Sequence, residues 1–323
     1  MKYEEFLEQL KTKASRLTGE DSFRARVAEL AKNFSGESLD ELNAEIQTVV
    51  ESHNRAPRHE FAGLSSDEMH FLFYYPLEKN SPIQFRPLIG HDVLNKIGFF
   101  RLVEEFLKIV KRDGSIKLTE KLGALPRKTL VELYDHHFVR QWPIDEGFIK
   151  LRYEDDSSVM RTLHAIVRIS GLVRKLHGKL VLTKMGEKML APAARSELFR
   201  IVFHAFTRKF NWAYNDFYPH FSLCRQAFGF SLYLVARFGD NETHKDFYTE
   251  KFLTAFPMAL QQFQGDSYST PESNFRSCYR IRTFDRFLEW FNFVDVRSNE
   301  ETLSGSQMLV KKSELFDAVF YVG

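Results

Sequence analysis

The chain has 323 residues, enough for about two domains of ordinary size, and its 45 lysines and arginines against 43 aspartates and glutamates leave a formal charge of +2. Such a near balance excludes a protein that coats nucleic acid through bulk charge, so any basic surface has to be local. Two cysteines without a partner motif exclude a cysteine-based zinc site within one chain and fit a reducing compartment.

The opening MKYEEFLEQLKTK carries acids and no apolar run of the kind a signal peptide needs. The most apolar tract, Phe228 to Val235, is too short to span a bilayer and is closed by Arg237. The expected setting is the cytoplasm of a bacterial-type cell, with no membrane contact. In chain order, apolar residues at helical spacing predict a first helix over Tyr3 to Leu17, a second over Ser22 to Phe34, and a third to about His53. The third opens on Ser38-Leu39-Asp40-Glu41, which has the form of a capping box. Proline and glycine between His53 and Gly63 mark a boundary, and a short capped helix from Leu64 to Phe73 ends before Pro76. A proline-marked loop leads to Asp92. Then Phe99, Leu102, Val103, Phe106, Leu107 and Val110 form one wide apolar helical face, which Gly114 terminates.

After that helix come a short strand around Lys117-Leu118-Thr119, Gly123, and a helix opening at Pro126 and running to Tyr134. The order recurs from Ser158 to Ala191: a helix with Leu163, Ile166, Val167 and Ile169, then Gly171, then strands Leu172-Val173 and Leu180-Val181-Leu182 joined at Gly178. Thr183 caps a closing helix to Leu190. The echo of Leu-Thr followed by glycine predicts two related modules in the pattern of a winged helix, a helix-turn-helix with a β-hairpin wing. Residues from Ser196 to Phe263 are dense in aromatics and predict packed helical hairpins. A long helix over Asn274 to Phe291, strands at Phe293–Val296 and Gln307–Val310, and a helix over Ser313 to Phe320 suggest a further wing.

The run Asn54, Pro57, Gly63-Leu64-Ser65, Met69-His70, followed by Lys117-Leu118-Thr119, Gly123 and Leu125-Pro126-Arg127-Lys128, resembles a family of uncharacterised bacterial proteins. Its members share an N-x-x-P…GLS…M-H segment and a KLT-x-x-G-x-LP-x-K segment. Ser66 and Ala124 stand where that pattern has proline and asparagine. The resemblance implies no activity and transfers no catalytic residue.

The expected fold is therefore mainly α (α+β), with tandem winged-helix-like modules, small hairpin wings and an aromatic-rich helical middle. Its expected divisions are 1–53, a helical unit; 54–140 and 141–195, two winged-helix-like modules; 196–265, the aromatic region; and 266–323, a third such module. Seven basic residues against one acid lie between Ser158 and Ala191. Arg174, Lys175 and Lys179 flank the expected wing tip, where phosphates are met, with Arg161 and Arg168 nearer the groove and Lys184 beside them. A secondary basic row, Arg276, Arg280, Arg282 and Arg286, precedes the last wing; Arg282 and Arg286 could instead pair with Asp285 and Glu289. The expected partner is double-stranded DNA. The alternative is a non-catalytic interaction scaffold that binds a protein or itself. No nucleophile elbow, P-loop or dinucleotide fingerprint occurs, and Asp216 with His220 lacks a third metal ligand at suitable spacing, so no catalytic residue, metal or cofactor is expected.

Overall fold

A computed structural model describes residues 21–34, 38–219, 221–298 and 308–323. The helix expected over Tyr3 to Leu17 lies outside them. The chain divides into two compact units, Met1–His70 and Phe71–Gly323, and the fold is mainly α with small antiparallel sheets.

In the first unit, α1 (Asp21–Asn33) and α2 (Leu39–Arg55) are helices where the apolar spacing puts them, and the Ser38 side chain accepts from the Glu41 N–H at the start of α2. Ala62 and Gly63 turn the chain through positive φ, and Ser65 and Glu68 exchange side-chain-to-backbone hydrogen bonds at the start of α3 (Ser66–Tyr74), whose last residues from Phe71 on belong to the second unit.

In the second unit, β1 (Ile83–Phe85) stands where the sequence suggested only a loop. Helix α4 (Gly98–Asp113) buries its whole apolar face and ends at Gly114 with φ +71°. Then follow β2 (Ile116–Lys117), α5 (Arg127–Tyr134), α6 (Ser158–Ile169), β3 (Val173–Leu176), β4 (Lys179–Leu182) and α7 (Lys184–Met189). The strands form one sheet in the order β2-β4-β3, with Ile116 opposite Leu180 and Lys117 opposite Lys179. The two Leu-Thr strands of the sequence echo are thus neighbours in a single sheet, and parts of 54–140 and 141–195 share it. A two-residue strand cannot bury a face alone, so it pairs with the hairpin that can.

Helix α8 (Arg195–His204) widens into π-helical hydrogen bonding over Ala205–Lys209. Next come α9 (Phe228–Phe238), β5 (Thr243–His244), α10 (Lys245–Ala255) and α11 (Pro271–Tyr279), which continues as a π-helix over Arg280–Leu288. The run closes with β6 (Val294–Ser298), β7 (Met308–Lys312), α12 (Glu314–Val319) and β8 (Phe320–Val322). Strand order here is β5-β7-β6, so helix, strand, two helices, hairpin and helix repeat in α9 to α12 what α4 to α7 present.

The hairpin bases of the two copies match atom by atom. Thr183 donates its N–H to Leu172 O and its hydroxyl to Gly171 O, and its Oγ1 accepts from Gly186 N–H. Ser313 donates its N–H to Phe293 O and its hydroxyl to Asn292 O, and its Oγ accepts from Phe316 N–H. Gly171 and Asn292 hold φ of +78° and +57°, and asparagine is among the few residues besides glycine that enter this region readily. Sequence follows suit at the same spacing, Arg161-Thr162-Leu163 to Leu172-Val173 in one copy and Arg282-Thr283-Phe284 to Phe293-Val294 in the other.

β8 pairs antiparallel with β1, Phe85 opposite Phe320, and their rings stack 5.4 Å apart. Around them lies the aromatic core anticipated from composition. Phe203 sits at its centre with seven phenylalanine rings within 6.2 Å.

Candidate nucleic-acid interface

Strand alternation sorts the basic residues of the hairpin. Val173, Lys175, Leu180 and Leu182 share the inner face of the β2-β4-β3 sheet, while Arg174, Lys179 and Lys117 share the outer one. All four basic side chains are exposed. The three expected wing cations therefore do not act as one group. Lys175 extends past the buried Leu180, and its ammonium lies beside Gly123 in the 119–124 loop. Lys184 is exposed at the start of α7.

On α6, Arg161, His164, Ala165 and Arg168 fall at three- and four-residue spacing and line one side of a groove of about 880 Å³. The 119–125 loop, Arg127 and the segment Arg152–Asp155 line the rest, together with Tyr214. Asp156 orders that segment by accepting from the N–H groups of Arg152 and Tyr153, both at 2.8 Å, and Ser157 caps α6. Arg161 lies 3.3 Å from Asp155 and 4.9 Å from the centre of the Tyr214 ring, a cation–π contact. Beneath them Glu154 is buried. It accepts from the Leu125 N–H at 2.5 Å, and its oxygens lie 3.0 and 3.1 Å from His164 Nδ1. His164, itself 6% exposed, has no hydrogen-bond partner for its other ring nitrogen, Nε2.

Sequence reasoning placed Arg161 and Arg168 correctly on one helix but passed over His164, Glu154, Arg127, Arg152 and Tyr214. The spacing of Arg161, His164 and Arg168 was visible; the loops that meet them come from distant positions.

The secondary row has a different character. Arg282 is 1% exposed and grips Asp216 with Nε and Nη2, both at 2.8 Å, while also donating to the Phe221 and Pro219 carbonyls. Burial is the largest influence and would lower its pKa, but Asp216 together with the nearby Cys278 and Cys224 holds it above its usual value. Arg286 lies 3.5 Å from the same carboxylate, and Arg276 pairs with Glu250 and Glu272. Arg280 is half-buried. Arg282 thus pairs with Asp216 rather than Asp285, Arg286 feels the charge of both Asp216 and Asp285, and Asp285 also holds Lys245 at 2.5 Å. Three arginines of this row are committed to carboxylates within the fold. Asp216 is likewise spent, and its sequence neighbour His220 lies outside the described residues. Among the described residues no group of three potential metal ligands occurs, and no helix is long and apolar enough to cross a membrane. The two cysteines, distant in sequence, meet in the core. Burial first and the Cys278 thiol second push the Cys224 pKa well above the usual range, which keeps it a thiol.

No curated protein and no solved structure matches the chain significantly. Residues 98–197 match a family model described as the Y4jL N-terminal domain, which fits an uncharacterised family. The matched range begins at the first residue of α4 and runs past α7, taking in the whole β2-β4-β3 sheet, so it is to this one structural copy that the chain's similarity to the Y4jL family attaches.

Proposed function

We propose that residues 98–190 form a winged helix that binds double-stranded DNA, with α6 as the recognition helix and the β3–β4 hairpin as the wing. The observation that carries this reading is that Arg161 and Arg168 on α6 line one wall of a groove while the ammonium of Lys175 from the wing lies beside Gly123 of the opposite wall. Helix order and the β2-β4-β3 strand order support it, since they bring a hairpin beside the edge of α6 that reaches the surface, where Arg161 and Ala165 are half-buried and Arg168 is exposed. Arg174, Lys179 and Lys117 on the outer sheet face meet flanking phosphates. A cytoplasmic location goes with this role. The second copy, residues 228–319, acts as a packing module, because Arg276, Arg282 and Arg286 of its basic row are spent on Glu250, Glu272 and Asp216.

The test is equilibrium binding of a random-sequence duplex across a salt series, for the native chain and for the triple variant Arg161→Ala, Arg168→Ala, Lys175→Ala. Removing three phosphate or groove contacts should weaken binding by at least tenfold at low salt and lower the slope of log K against log salt by roughly 2–3. Equal slopes for the two proteins, or no binding by the native chain at low salt, would contradict the reading. A protein-interaction module is the second reading. The ring pair Trp142–Phe148, 66% and 71% exposed at 4.9 Å, favours it as an apolar contact on the loop before α6.

A further inference from the structure

We propose that the groove over α6 is also a pocket for a single small ligand, an aromatic phosphate of the nucleotide kind. This goes beyond duplex binding: it shares Arg161 and Arg168 with that reading and adds His164, Tyr153 and Tyr214. At about 880 Å³ the groove falls within the range of small-molecule pockets, roughly 300–1,000 Å³. Five cations line it, Lys121, Arg127, Arg152, Arg161 and Arg168, against three acids, Glu120, Glu154 and Asp155. Of those acids Glu154 is turned to His164 and the Leu125 N–H, so the groove presents a cationic surface suited to a phosphate.

Two tyrosines supply the aromatic part. Tyr153 and Tyr214 are 69% and 51% exposed, and Tyr214 already carries the Arg161 guanidinium on its ring. A base has a π face to set against tyrosine or guanidinium whatever its sequence identity.

His164 is the independent sign of a ligand. Buried polar atoms are almost always hydrogen-bonded, yet Nε2 of this residue, in the groove wall, is not. With Nδ1–H donating to Glu154, Nε2 is left as an unpartnered acceptor just behind the groove wall, which a ligand hydroxyl or amine reaches only by displacing the side chains that cover it. The carboxylate behind it fixes ring and tautomer, as second-layer carboxylates do for histidines that bind ligands.

The second copy shows that the fold does not require this arrangement. Where the first has Arg161, His164 and Arg168, equivalent spacing in the second gives Arg282, Asp285 and Glu289. There Arg282 is sunk onto Asp216 and Asp285 is closed by Lys245. The same scaffold folds with these positions neutralised internally; the first copy keeps them facing a groove.

The experiment is calorimetric titration of the full chain with AMP, with inorganic phosphate, and with a 5′-phosphorylated single-stranded oligodeoxyadenylate. AMP should bind roughly tenfold or more tightly than phosphate, because stacking adds to the ionic contact. Tyr214→Ala should erase most of that difference, and His164→Gln should weaken AMP more than phosphate. Tyr214 is half-exposed, so its variant keeps the test valid even if the buried His164 variant fails to fold. Displacement of AMP by the oligonucleotide identifies a nucleotide within a strand as the source; AMP binding without displacement identifies a free nucleotide. AMP binding no tighter than phosphate, or unchanged by Tyr214→Ala, overturns the proposal. Neither variant touches the three residues altered in the duplex experiment, so duplex binding without AMP binding sinks this proposal alone, and AMP binding without duplex binding sustains it while the other falls.

Discussion

Arg282→Met is expected to destabilise the chain by about 3–5 kcal/mol, the usual cost of removing one partner from a buried ion pair. The side chains of Arg282 and Asp216 are 0% and 3% exposed, so the carboxylate left behind has no water to turn to. Methionine keeps the length and apolar bulk of the stem, which confines the loss to the charge and its hydrogen bonds. Two carbonyls, Phe221 O and Pro219 O, also lose their donor. Adding Asp216→Leu should recover part of the loss, since an apolar pair of similar volume needs no compensation, but the two orphaned carbonyls and Arg286, which loses the same carboxylate, keep the rescue incomplete. Urea unfolding gives the reading as a shift in midpoint at constant slope. A single variant within about 0.5 kcal/mol of the native chain would mean that Asp216 finds another partner.

Phe203→Ala should cost a similar amount, about 3–5 kcal/mol, through lost burial and the cavity left behind. The ring is 1% exposed and touches Phe85 of β1, Phe199 of its own helix, Phe228 of α9, Phe287 and Phe291 after α11, Phe293 before β6, and Phe320 of β8. Those neighbours are rings in five separate elements, so no single movement can fill the space. Phe203→Leu should lose far less, because it keeps most of the volume. Thermal or urea denaturation separates the two. Equal losses for both would point to ring geometry rather than volume as the stabilising term.

Much of this architecture was legible in the sequence where one short stretch decides the outcome. Apolar residues from Phe99 to Val110 and the glycine after them define α4; Ser38, Thr183 and Ser313 cap the helices they precede; Gly178 closes the β3–β4 hairpin with φ +75°. What stayed hidden depends on distant segments. Ile83–Phe85 is a strand because Phe320–Val322 pairs with it, and nothing local in either triplet says so. The closing module is expected from sequence only over 266–323, and its full extent from α9 stayed hidden because Asn292 stands for Gly171 and Ser313 for Thr183, so the copies share backbone geometry more than residue identity. Arg282 falls in the secondary basic row by sequence because a buried arginine and an exposed one look alike until the position of Asp216 is known. The groove went unseen for the same reason: α6 supplies one wall, while Tyr214 and the 119–125 loop arrive from elsewhere.

Hydrogen exchange with and without duplex DNA at low salt tests most directly whether the first copy, and not the second, is the binding module. Amide exchange reports opening and masking segment by segment. The expected result is protection over 158–182 and the 119–125 loop, with no change over 271–298. Protection confined to 271–298, or none in either segment, would contradict the assignment of binding to α6 and its wing.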